Sequence, residues 1–458
     1  MSLARSVLRA HRITRGDEHA KKVERIVRQL RAQRPGVPLS FRKRAVPHHV
    51  PKPHDKRYSD QKIDVRELDA ILAIDTVALT CTAEPGVTFS DLVRETLKHG
   101  LVPLVVPELR TITVGGAVSG CSLESTSFKY GGFHDSCLSY EVIAAKGDVL
   151  ECTPDNENRL VFEMMHGSFG TLGVLSKLTF RLAPAKPFVW MTYEAYATLS
   201  AYTAAIHRHY DARDVDFMDG IIHAPDHYVL SLGAFVDSAP YTSRYDWLNV
   251  YHRSTASRTE DYLRLEDYLF RYDNGVTNVH PKSALGRFFF GKLLHSDRLL
   301  RIADKLHAWL PAERPDVTLD TFIPFSKVEA FMAWYEREVG FFPLWCVPYK
   351  VPHKYEWLAS EYTSLVPDEL FLDLAIYGMK QPEGRNIYKE IEGALRRVNG
   401  LKTLISYNYY DPSDFWTIWN KKNYVLVKAR TDPENLFRDL YSKTCRAPHG
   451  LADVPLRD

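Results

Sequence analysis

The sequence lacks several features that would identify its class directly. It has no run of about 18 uninterrupted apolar residues, which excludes a membrane-spanning helix, and no apolar stretch follows the basic residues at its N-terminus, which excludes a secretory signal. Its six cysteines include no C-x-x-C pair and no Cys/His cluster with zinc-ligand spacing. We therefore expect reduced thiols, no metal site and a cytoplasmic location.

The composition is that of a globular protein with more than one core. The chain has 458 residues, of which 45% are hydrophobic and 25% are charged. Its net charge of +2 hides a separation of charge. Residues 1–62 carry 17 Lys and Arg against 5 Asp and Glu, a net charge of +12, and the other 396 residues carry 42 against 52, a net charge of −10. A basic N-terminal segment of this kind indicates contact with phosphates.

The N-terminal segment contains one clear helical pattern. Val23, Ile26, Val27 and Leu30 have the spacing of one helix face, which predicts an amphipathic basic helix over residues 17–34. Such a helix can lie on protein or on lipid. The proline-rich residues that follow it predict an extended loop.

The rest of the chain alternates between strand and helix patterns. Two apolar runs before residue 83 and a helix closed by Gly100 come first, and a hairpin with its turn at residues 146–148 follows. Pro184 and Pro187 mark a domain boundary. Beyond them the pattern predicts an α+β domain and, after it, a C-terminal helix starting near Pro433. Four strands are predicted in this second domain, near residues 228–236, 318–324, 343–347 and 370–377.

Three glycine groups are the main candidates for a binding function. They are Gly115–Gly116 with Gly120, Gly131–Gly132, and the glycines of residues 167–173. Glycine permits positive φ angles and lets backbone N–H groups approach a phosphate closely. The spacing matches neither a Rossmann nor a P-loop motif. Each group taken alone is also explained by ordinary tight turns.

The order of these groups resembles a known flavoprotein family. The motifs that carry the resemblance are A-E-P-G-V-T-F-S-D-L-V (83–93), H-G-L-V-P-L-V-V-P-E-L-R-T-I-T-V-G-G (99–116), L-E-S-T-S-F-K-Y-G (123–131) and G-S-F-G-T-L-G-V-L (167–175). They resemble the FAD-binding domain of the vanillyl-alcohol-oxidase or PCMH type. F-P-L-W-C-V-P (342–348), L-F-L-D-L-A-I-Y-G (370–378) and D-F-W (414–416) extend the resemblance to the delta(24)-sterol reductase-like branch, which includes bacterial methylene-fatty-acyl reductases.

The resemblance implies an α+β fold, with a PCMH-type two-subdomain FAD-binding domain and an α+β substrate (cap) domain. The implied boundaries are a basic arm over residues 1–34, the FAD-binding domain over 35–187, the substrate domain over 188–410 and a segment returning to the FAD domain over 411–458. One departure from the family is that Ser40-Phe41-Arg42-Lys43-Arg44 stands where many members have a glycine-rich first diphosphate loop.

The resemblance also implies which residues bind FAD. The implied cofactor-binding residues are Thr113, Val114, Gly115, Gly116, Gly120, Glu124, Ser125, Lys129, Tyr130, Gly170, Thr171, Gly173 and Val174. Some members bind FAD covalently through a histidine, for which His48 and His49 are the nearby candidates. No glycine-rich frame surrounds them, so we expect noncovalent FAD.

Reduction of an alkene by flavin hydride also requires a proton donor in a dry pocket. The predicted catalytic residues are Lys428, Tyr409 and Asp373, with Glu108, Tyr377 and Tyr410 as further candidates. Lys428 is a candidate to stabilise the negative charge of the reduced flavin, and a structural hydrogen bond is the alternative role for each of them.

The leading hypothesis is a reductase that passes hydride from NADPH through FAD to a carbon–carbon double bond in a lipid. We expect a methylene-branched fatty acyl chain on phospholipid, reduced from 10-methylene to 10-methyl as in tuberculostearic acid. The alternatives are a sterol side-chain reductase, an FAD-dependent sugar or alcohol oxidase, and a binding protein without flavin. The expected partners are the lipid, an anionic membrane surface at the inner face of the plasma membrane contacted through the basic arm, and a methyltransferase of the same pathway, with no nucleic acid.

Overall fold

The computed structural model describes residues 2–44, 54–245, 249–273 and 317–456, with the backbone alone for residues 2–15. Its helices are α1 (Ser2–Arg31), α2 (Phe89–Leu97), α3 (Val114–Gly120), α4 (Ser127–Tyr130), α5 (Arg159–Met164), α6 (Leu199–Ala212), α7 (Tyr251–Ser254), α8 (Leu265–Leu269), α9 (Val328–Glu338), α10 (Ser360–Thr363), α11 (Ile387–Arg397), α12 (Pro412–Ile418) and α13 (Lys421–Thr431).

Its strands are β1 (Leu39–Arg42), β2 (Gln61–Asp64), β3 (Ile71–Asp75), β4 (Thr80–Ala83), β5 (Leu101–Pro103), β6 (Cys137–Ile143), β7 (Val149–Cys152), β8 (Val174–Pro184), β9 (Phe188–Tyr196), β10 (Phe217–Ala224), β11 (His227–Val236), β12 (Glu260–Arg264), β13 (Val317–Pro324), β14 (Leu344–Lys350), β15 (Leu370–Met379) and β16 (Leu401–Lys402).

The first part of the chain forms two small sheets. β1 and β2 pair in parallel, and a second sheet has the order β3-β4-β8-β6-β7, with β5 on the end of β8. The predicted hairpin is β6–β7. Gly147 in its turn has a φ of +96°, a backbone conformation that is strained for any residue with a side chain. Strand β8 ends at Pro184, and the first strand of the next sheet begins at Phe188.

The second part is built on an eight-stranded antiparallel sheet with the order β12-β9-β11-β10-β14-β15-β13-β16. Side chains alternate between its two faces. One face packs against α6, α9 and α11, where Ile206, Phe331 and Ile391 are buried. The other face packs against the first domain and shares its hydrophobic core through residues such as Met191 and Val347. The functional groups described below lie on this second face.

Helix α1 is longer than the predicted segment and is part of the first domain. Val23, Ile26 and Leu30 are buried in a cluster with Ile63 and Phe437. The apolar face of the basic arm is therefore covered by protein. The helix is also fixed at a polar contact, in which His19 lies between the carboxylates of Glu84 and Glu141.

The C-terminal segment corrects one predicted element. Helix α13 ends at Thr431, and the helix predicted near Pro433 begins later, as a π-helix (Ser442–Arg446) followed by a 3-10 helix (Ala447–His449). The Asn420 side chain caps the N-terminus of α13, and Pro433 has no N–H with which to continue a helix from Thr431. Beyond it, the Leu39 N–H donates to the carbonyl of Leu436 at 2.7 Å, so the segment contacts the first sheet.

The α+β class predicted from the sequence is confirmed. The four strands predicted in the second domain correspond to β11, β13, β14 and β15, with bounds that differ by a few residues at each end. All six cysteines are free thiols. Across the described ranges, none of the helices combines the length and the apolar character needed to cross a bilayer.

Candidate functional site

A cavity in the first domain collects residues from five separate segments of the chain, one of which is Val65–Arg66 after β2. It measures about 700 Å³, including the part open to solvent. Residues that are far apart in the sequence line it together: the end of β1, the Pro85–Gly86 turn, the start of α3 and the glycine-rich segment before β8. Such convergence is typical of a preformed ligand site.

The start of α3 needs glycine for close packing. The Thr113 hydroxyl caps the helix by accepting the N–H of Gly116 at 3.2 Å. The N–H of Gly115 donates to the carbonyl of Pro85 at 3.0 Å, and a Cβ on Gly115 would lie 2.4 Å from the Cβ of Pro85. The helix can therefore approach the Pro85–Gly86 turn only without a side chain at position 115.

The glycine-rich segment shows the same requirement. Gly170 has a φ of +68°, and a Cβ there would lie 2.5 Å from the ring of Phe41. Gly173 has a φ of +123°, and a Cβ there would lie 2.8 Å from the carbonyl oxygen of Ile143. Because these positions have no side chain, the glycine-rich segment packs closely against the end of β1 and lines the cavity with backbone.

Positive charge surrounds one end of this cavity. Lys43, Arg44 and Arg66 line it. Lys443 lies beside it, with its ammonium 5.7 Å from the centroid of the Phe41 ring. Burial, followed by the like charges of Arg57 and Lys43, lowers the pKa of Lys443 well below its usual value. Cations that repel one another in this way would be stabilised by a bound anion.

These residues fit FAD. Cations suit its diphosphate, and the glycine walls let backbone approach the ligand. The segment after β1 contributes Lys43 and Arg44 to the lining, so it offers positive charge to a diphosphate. His48 and His49 lie outside the described residues, so the prediction of noncovalent binding stays a prediction.

About half of the predicted cofactor residues lie on the cavity wall. The lining residues among them are Thr113, Gly115, Gly116, Gly170, Gly173 and Val174. Val114 is instead buried in the core, and the Thr171 hydroxyl donates to the carbonyl of Ser168 at 2.7 Å. The side chain of Lys129 pairs with Asp216 of the second domain at 3.3 Å. Gly120, Glu124, Ser125 and Tyr130 also lie outside the lining of this cavity.

Glu124 belongs to a buried ionic cluster between the domains. Its Oε1 lies 3.0 Å from the guanidinium of Arg271, which also contacts Asp219 Oδ2 at 3.0 Å. The rings of Tyr268 and Tyr272 stack on this guanidinium, with centroids 4.1 and 4.6 Å from Arg271 Cζ. The Tyr268 hydroxyl also donates to Ser125. Glu124 and Ser125, which were predicted to contact the flavin, therefore hold the two domains together.

The structure corrects the predicted role of Lys428. Its Nζ donates to the carbonyls of Thr171 and Phe437 at 2.7 and 2.6 Å and to Asp432 Oδ2 at 2.7 Å. These bonds use all three protons, so the ammonium has none left for a flavin. Lys428 is therefore a positioning residue that joins α13 to the glycine-rich segment.

Tyr409 lies in an aromatic cluster. It packs beside Tyr388, Tyr407 and His449, and it lies outside both cavities described here. Its backbone N–H donates to Glu392 at 3.1 Å. The ring contacts give Tyr409 a packing role, and its catalytic role stays a prediction. Tyr410 is buried against Phe415 and Trp419.

Asp373 lies in a group of buried acids on the sheet face that meets the first domain. Burial, and after it the charges of Asp320 and Glu108, raise the pKa of Asp373 well above its usual value. Burial also raises the pKa of Asp320 to about 6 and that of Glu108 to about 8. Tyr377 donates a hydrogen bond to Asp320. The structure thus brings three predicted candidates together with Asp320.

A second, larger cavity lies between the domains. It measures about 1260 Å³, including the part open to solvent. Its wall begins at Cys121 and Leu123, directly after α3. Most of its remaining wall is aromatic and aliphatic and comes from the second domain. The principal residues of that wall are Phe322, Tyr349, Tyr355, Trp357, Tyr362, Phe371 and Leu401.

Reasoning from the sequence missed this wall. The aromatic density of the second domain was visible, but periodicity could not show which rings leave the core to line a cavity. The only available signal was the pair Tyr355 and Trp357 in a segment between strands, where rings have no sheet face to cover. Arg66 and Lys443 were missed as well, because no local pattern shows that these side chains lie beside the first cavity.

Comparison with known proteins agrees with this geometry. The profile of the FAD binding domain family matches residues 18–153. Human Delta(24)-sterol reductase is 25% identical over 406 residues, covering 82% of this chain and 76% of its own length. The pea (Pisum sativum) Delta(24)-sterol reductase is 24% identical over 480 residues, covering 94% and 85%. Cytokinin dehydrogenase 6 of Oryza sativa subsp. japonica is 24% identical over 270 residues, covering 53% and 48%.

Proposed function

The chain contains a PCMH-type FAD-binding domain and matches the Delta(24)-sterol reductase-like branch of that family, and we propose that it uses NADPH to reduce a carbon–carbon double bond in a lipid. The relatives support the reaction class, and an apolar cavity suits a lipid. The substrate that we propose is a methylene-branched fatty acyl chain on phospholipid. A sterol side chain is the second candidate, and its support is the similarity of this chain to Delta(24)-sterol reductases.

The observation that carries the proposal is the proximity of the two cavities at the end of α3. Val118 and Ser119 of α3 line the first cavity, and Cys121, one residue after α3, lines the second. The N–H of Phe169 donates to the carbonyl of Ser119 at 3.1 Å, which joins the glycine-rich segment to the same helix end. A ligand that fills the first cavity along α3 therefore ends beside the second.

The chemistry divides between cofactor and chain. When bound, FAD supplies the hydride that it has received from NADPH. The chain contributes an apolar wall that excludes water, and acidic groups that hold a proton for the other alkene carbon. A branched alkene suits this division, since protonation of its unsubstituted carbon places positive charge on a tertiary carbon that hydride then quenches.

Anaerobic half-reactions test the proposal. NADPH should bleach the yellow holoenzyme, and phospholipid with a methylene-branched chain should restore the colour and gain two hydrogens by mass spectrometry. A sterol with a side-chain double bond is run in parallel and identifies the second candidate if it alone reacts. Oxygen consumption with polyols, with no reaction of either lipid, would instead establish an alcohol or sugar oxidase.

A substitution can test the cavity separately. Leu401→Trp should fill part of the second cavity and raise KM for the lipid, while bleaching by NADPH keeps its rate. Leu451→Trp is the matched control, because Leu451 is 46% exposed and lies outside both cavities. Equal KM values in the two variants would contradict the assignment of this cavity to the lipid.

The proposed lipid substrate also suggests contact with a membrane. Lys21 and Arg28 lie on the exposed face of α1. We propose that this face contacts anionic phospholipid at the inner face of the plasma membrane, and that a methyltransferase supplies the methylene-branched chain. Deletion of the arm would remove Val23, Ile26 and Leu30 from the core, so the test is Lys21→Glu with Arg28→Glu. The double variant should lose co-sedimentation with anionic vesicles and keep its thermal stability.

A further inference from the structure

A row of polar side chains lies in the wall of the second cavity, and three of its four members line that cavity. It consists of His353, Asp135, Tyr355 and Tyr349, which we call the relay. We infer that the relay delivers the proton consumed by the alkene reduction, with Asp135 as the acid and the two tyrosines as the path. This inference rests on the proposed function and names the proton donor of that reaction.

The contacts are continuous on the cavity side. The hydroxyls of Tyr349 and Tyr355 are hydrogen-bonded to each other, and both residues line the second cavity. The Tyr355 hydroxyl donates to Asp135 Oδ2 at 2.9 Å, and the N–H of Gly132 donates to the same oxygen at 2.7 Å. Asp135 itself is only 2% exposed through its side chain. When Oδ2 of Asp135 carries a proton, the same contact has Asp135 as donor and Tyr355 as acceptor, and that proton is two hydroxyl groups away from the substrate space.

The surface side of the relay is His353. Its side chain is 46% exposed, and its Nδ1 lies 4.0 Å from Asp135 Oδ1. The Oδ1 atom has no hydrogen-bond partner among the described residues. The nearby carboxylate of Glu163 raises the pKa of His353 above its ordinary value, so the imidazole carries a proton more readily near neutral pH. His353 can therefore take a proton from solvent and face the open oxygen of the acid.

Burial is the feature that favours the protonated form of Asp135. Burial raises the pKa of Asp135, against the opposing effects of His134, Gly132, Tyr355 and His353. His134 lies 3.4 Å from Oδ2 but is itself buried, and burial lowers its pKa, so it provides no fixed positive charge.

Two further titratable groups face this region. They are His166, whose pKa burial lowers well below the usual value, and Glu163, which lies 3.8 Å from His353. A neutral His166 adds no charge that would ionise Asp135, and Glu163 opposes the loss of a proton from it. His166 and Glu163 thus leave the acid able to hold its proton, whereas Tyr355, Gly132 and His353 help it to release that proton at reaction.

The proton transfer balances with the hydride. An O–H bond of Tyr349 breaks as a C–H bond forms at one alkene carbon, and the two electrons of the former double bond form that C–H bond. Tyr349 recovers a proton from Tyr355, and Tyr355 recovers one from Asp135. The C–H bond at the other carbon would take the hydride that a bound flavin supplies from NADPH. Asp135 ends as a carboxylate and is reprotonated from solvent through His353.

The test uses the holoenzyme in single-turnover half-reactions. The variants are Tyr349→Phe, Tyr355→Phe and Asp135→Asn. The matched control is Tyr335→Phe, which removes a buried hydroxyl that donates to the carbonyl of Phe341 away from both cavities. NADPH should bleach all four variants at the wild-type rate. Lipid-dependent reoxidation should slow about 100-fold in the three relay variants only.

A second measurement does not depend on turnover. Infrared spectroscopy of the protein at neutral pH should show the carbonyl stretch of a protonated carboxyl group that Asp135→Asn removes. Tyr355→Phe should shift this band, because it removes the hydrogen bond to Oδ2, and Tyr335→Phe should leave it in place. A purely structural Asp135 would be ionised and give no such band.

The outcomes separate the two proposals. If wild type reduces a lipid and the relay variants reoxidise within about threefold of it, or if Asp373→Asn alone produces the loss, the relay is refuted and the proposed function stands. If the wild type bleaches with NADPH but no lipid restores its colour, the proposed function fails and the relay assignment falls with it. Slowed reoxidation together with the band lost in Asp135→Asn supports both.

Discussion

The contact of α1 with the first domain makes its stability depend on pH. The two ring nitrogens of His19 lie 2.8 Å from Glu84 Oε1 and 2.8 Å from Glu141 Oε1. Burial alone would lower the pKa of His19, but the hydrogen bonds to Glu141 and Glu84 raise it to about 9. The imidazolium is therefore stabilised in the folded state, and His19 binds its proton more tightly there than in the unfolded chain.

The direction and the magnitude of this pH dependence follow from the difference between the folded and unfolded pKa of His19. Because the folded pKa is the higher one, the stabilisation is complete below the unfolded value near pH 6.5 and disappears as pH rises through about 9. A shift of this size corresponds to about 3 kcal/mol at low pH, of which about 2 kcal/mol should be lost between pH 7 and pH 9. Val23, Ile26 and Leu30 still hold the helix above that range through burial.

Urea unfolding of wild type and His19→Gln at several pH values measures the effect. The variant should be less stable by about 2–3 kcal/mol at pH 7, and the difference should fall below about 0.5 kcal/mol near pH 9. His207→Gln, which changes an exposed histidine on α6, serves as the control and should follow wild type throughout. A difference between wild type and His19→Gln that stays constant over this range would refute the reasoning.

Three further substitutions probe the cofactor site and the contact between domains. Gly170→Ala should lower flavin content, measured by absorbance, because its φ of +68° and the ring of Phe41 exclude a Cβ, whereas Gly16→Ala should not. Arg271→Met leaves two buried carboxylates without their cation and should destabilise the protein by about 3–5 kcal/mol, measured by chemical denaturation. Lys428→Met should lower thermal stability and flavin retention, yet keep the lipid-dependent rate per bound flavin; a fall of more than about tenfold in that rate would restore a catalytic role.

The sequence predicted local features well where a short pattern determines them. The hairpin at residues 146–148 and strand β15 follow from alternation and turn residues, which act over a few positions. The helix start predicted near Pro433 was wrong because the pattern did not identify the Asn420 cap and the stop after Thr431 that define α13.

The candidate site was predictable only in part. Gly115, Gly116, Gly170 and Gly173 were found because backbone approach leaves a glycine signature in the sequence. Lys428 was misassigned because a buried lysine has the same sequence signal whether its ammonium meets a ligand or, as here, the carbonyl of Thr171. Partners that are 257 positions apart in the chain are set by tertiary packing, which no local pattern encodes.

The two buried acid groups near the second cavity differ in how a proton could leave them. Asp373 shares its surroundings with Asp320 and Glu108, so each carboxyl suppresses ionisation of the others and favours retention of their protons. Loss of a proton from that group would place negative charge on a buried sheet face. Asp135 instead faces the exposed His353, which can replace the proton from solvent. A catalytic acid must be recharged in every cycle, and for that reason we assign proton delivery to Asp135 and a structural, neutral role to Asp373.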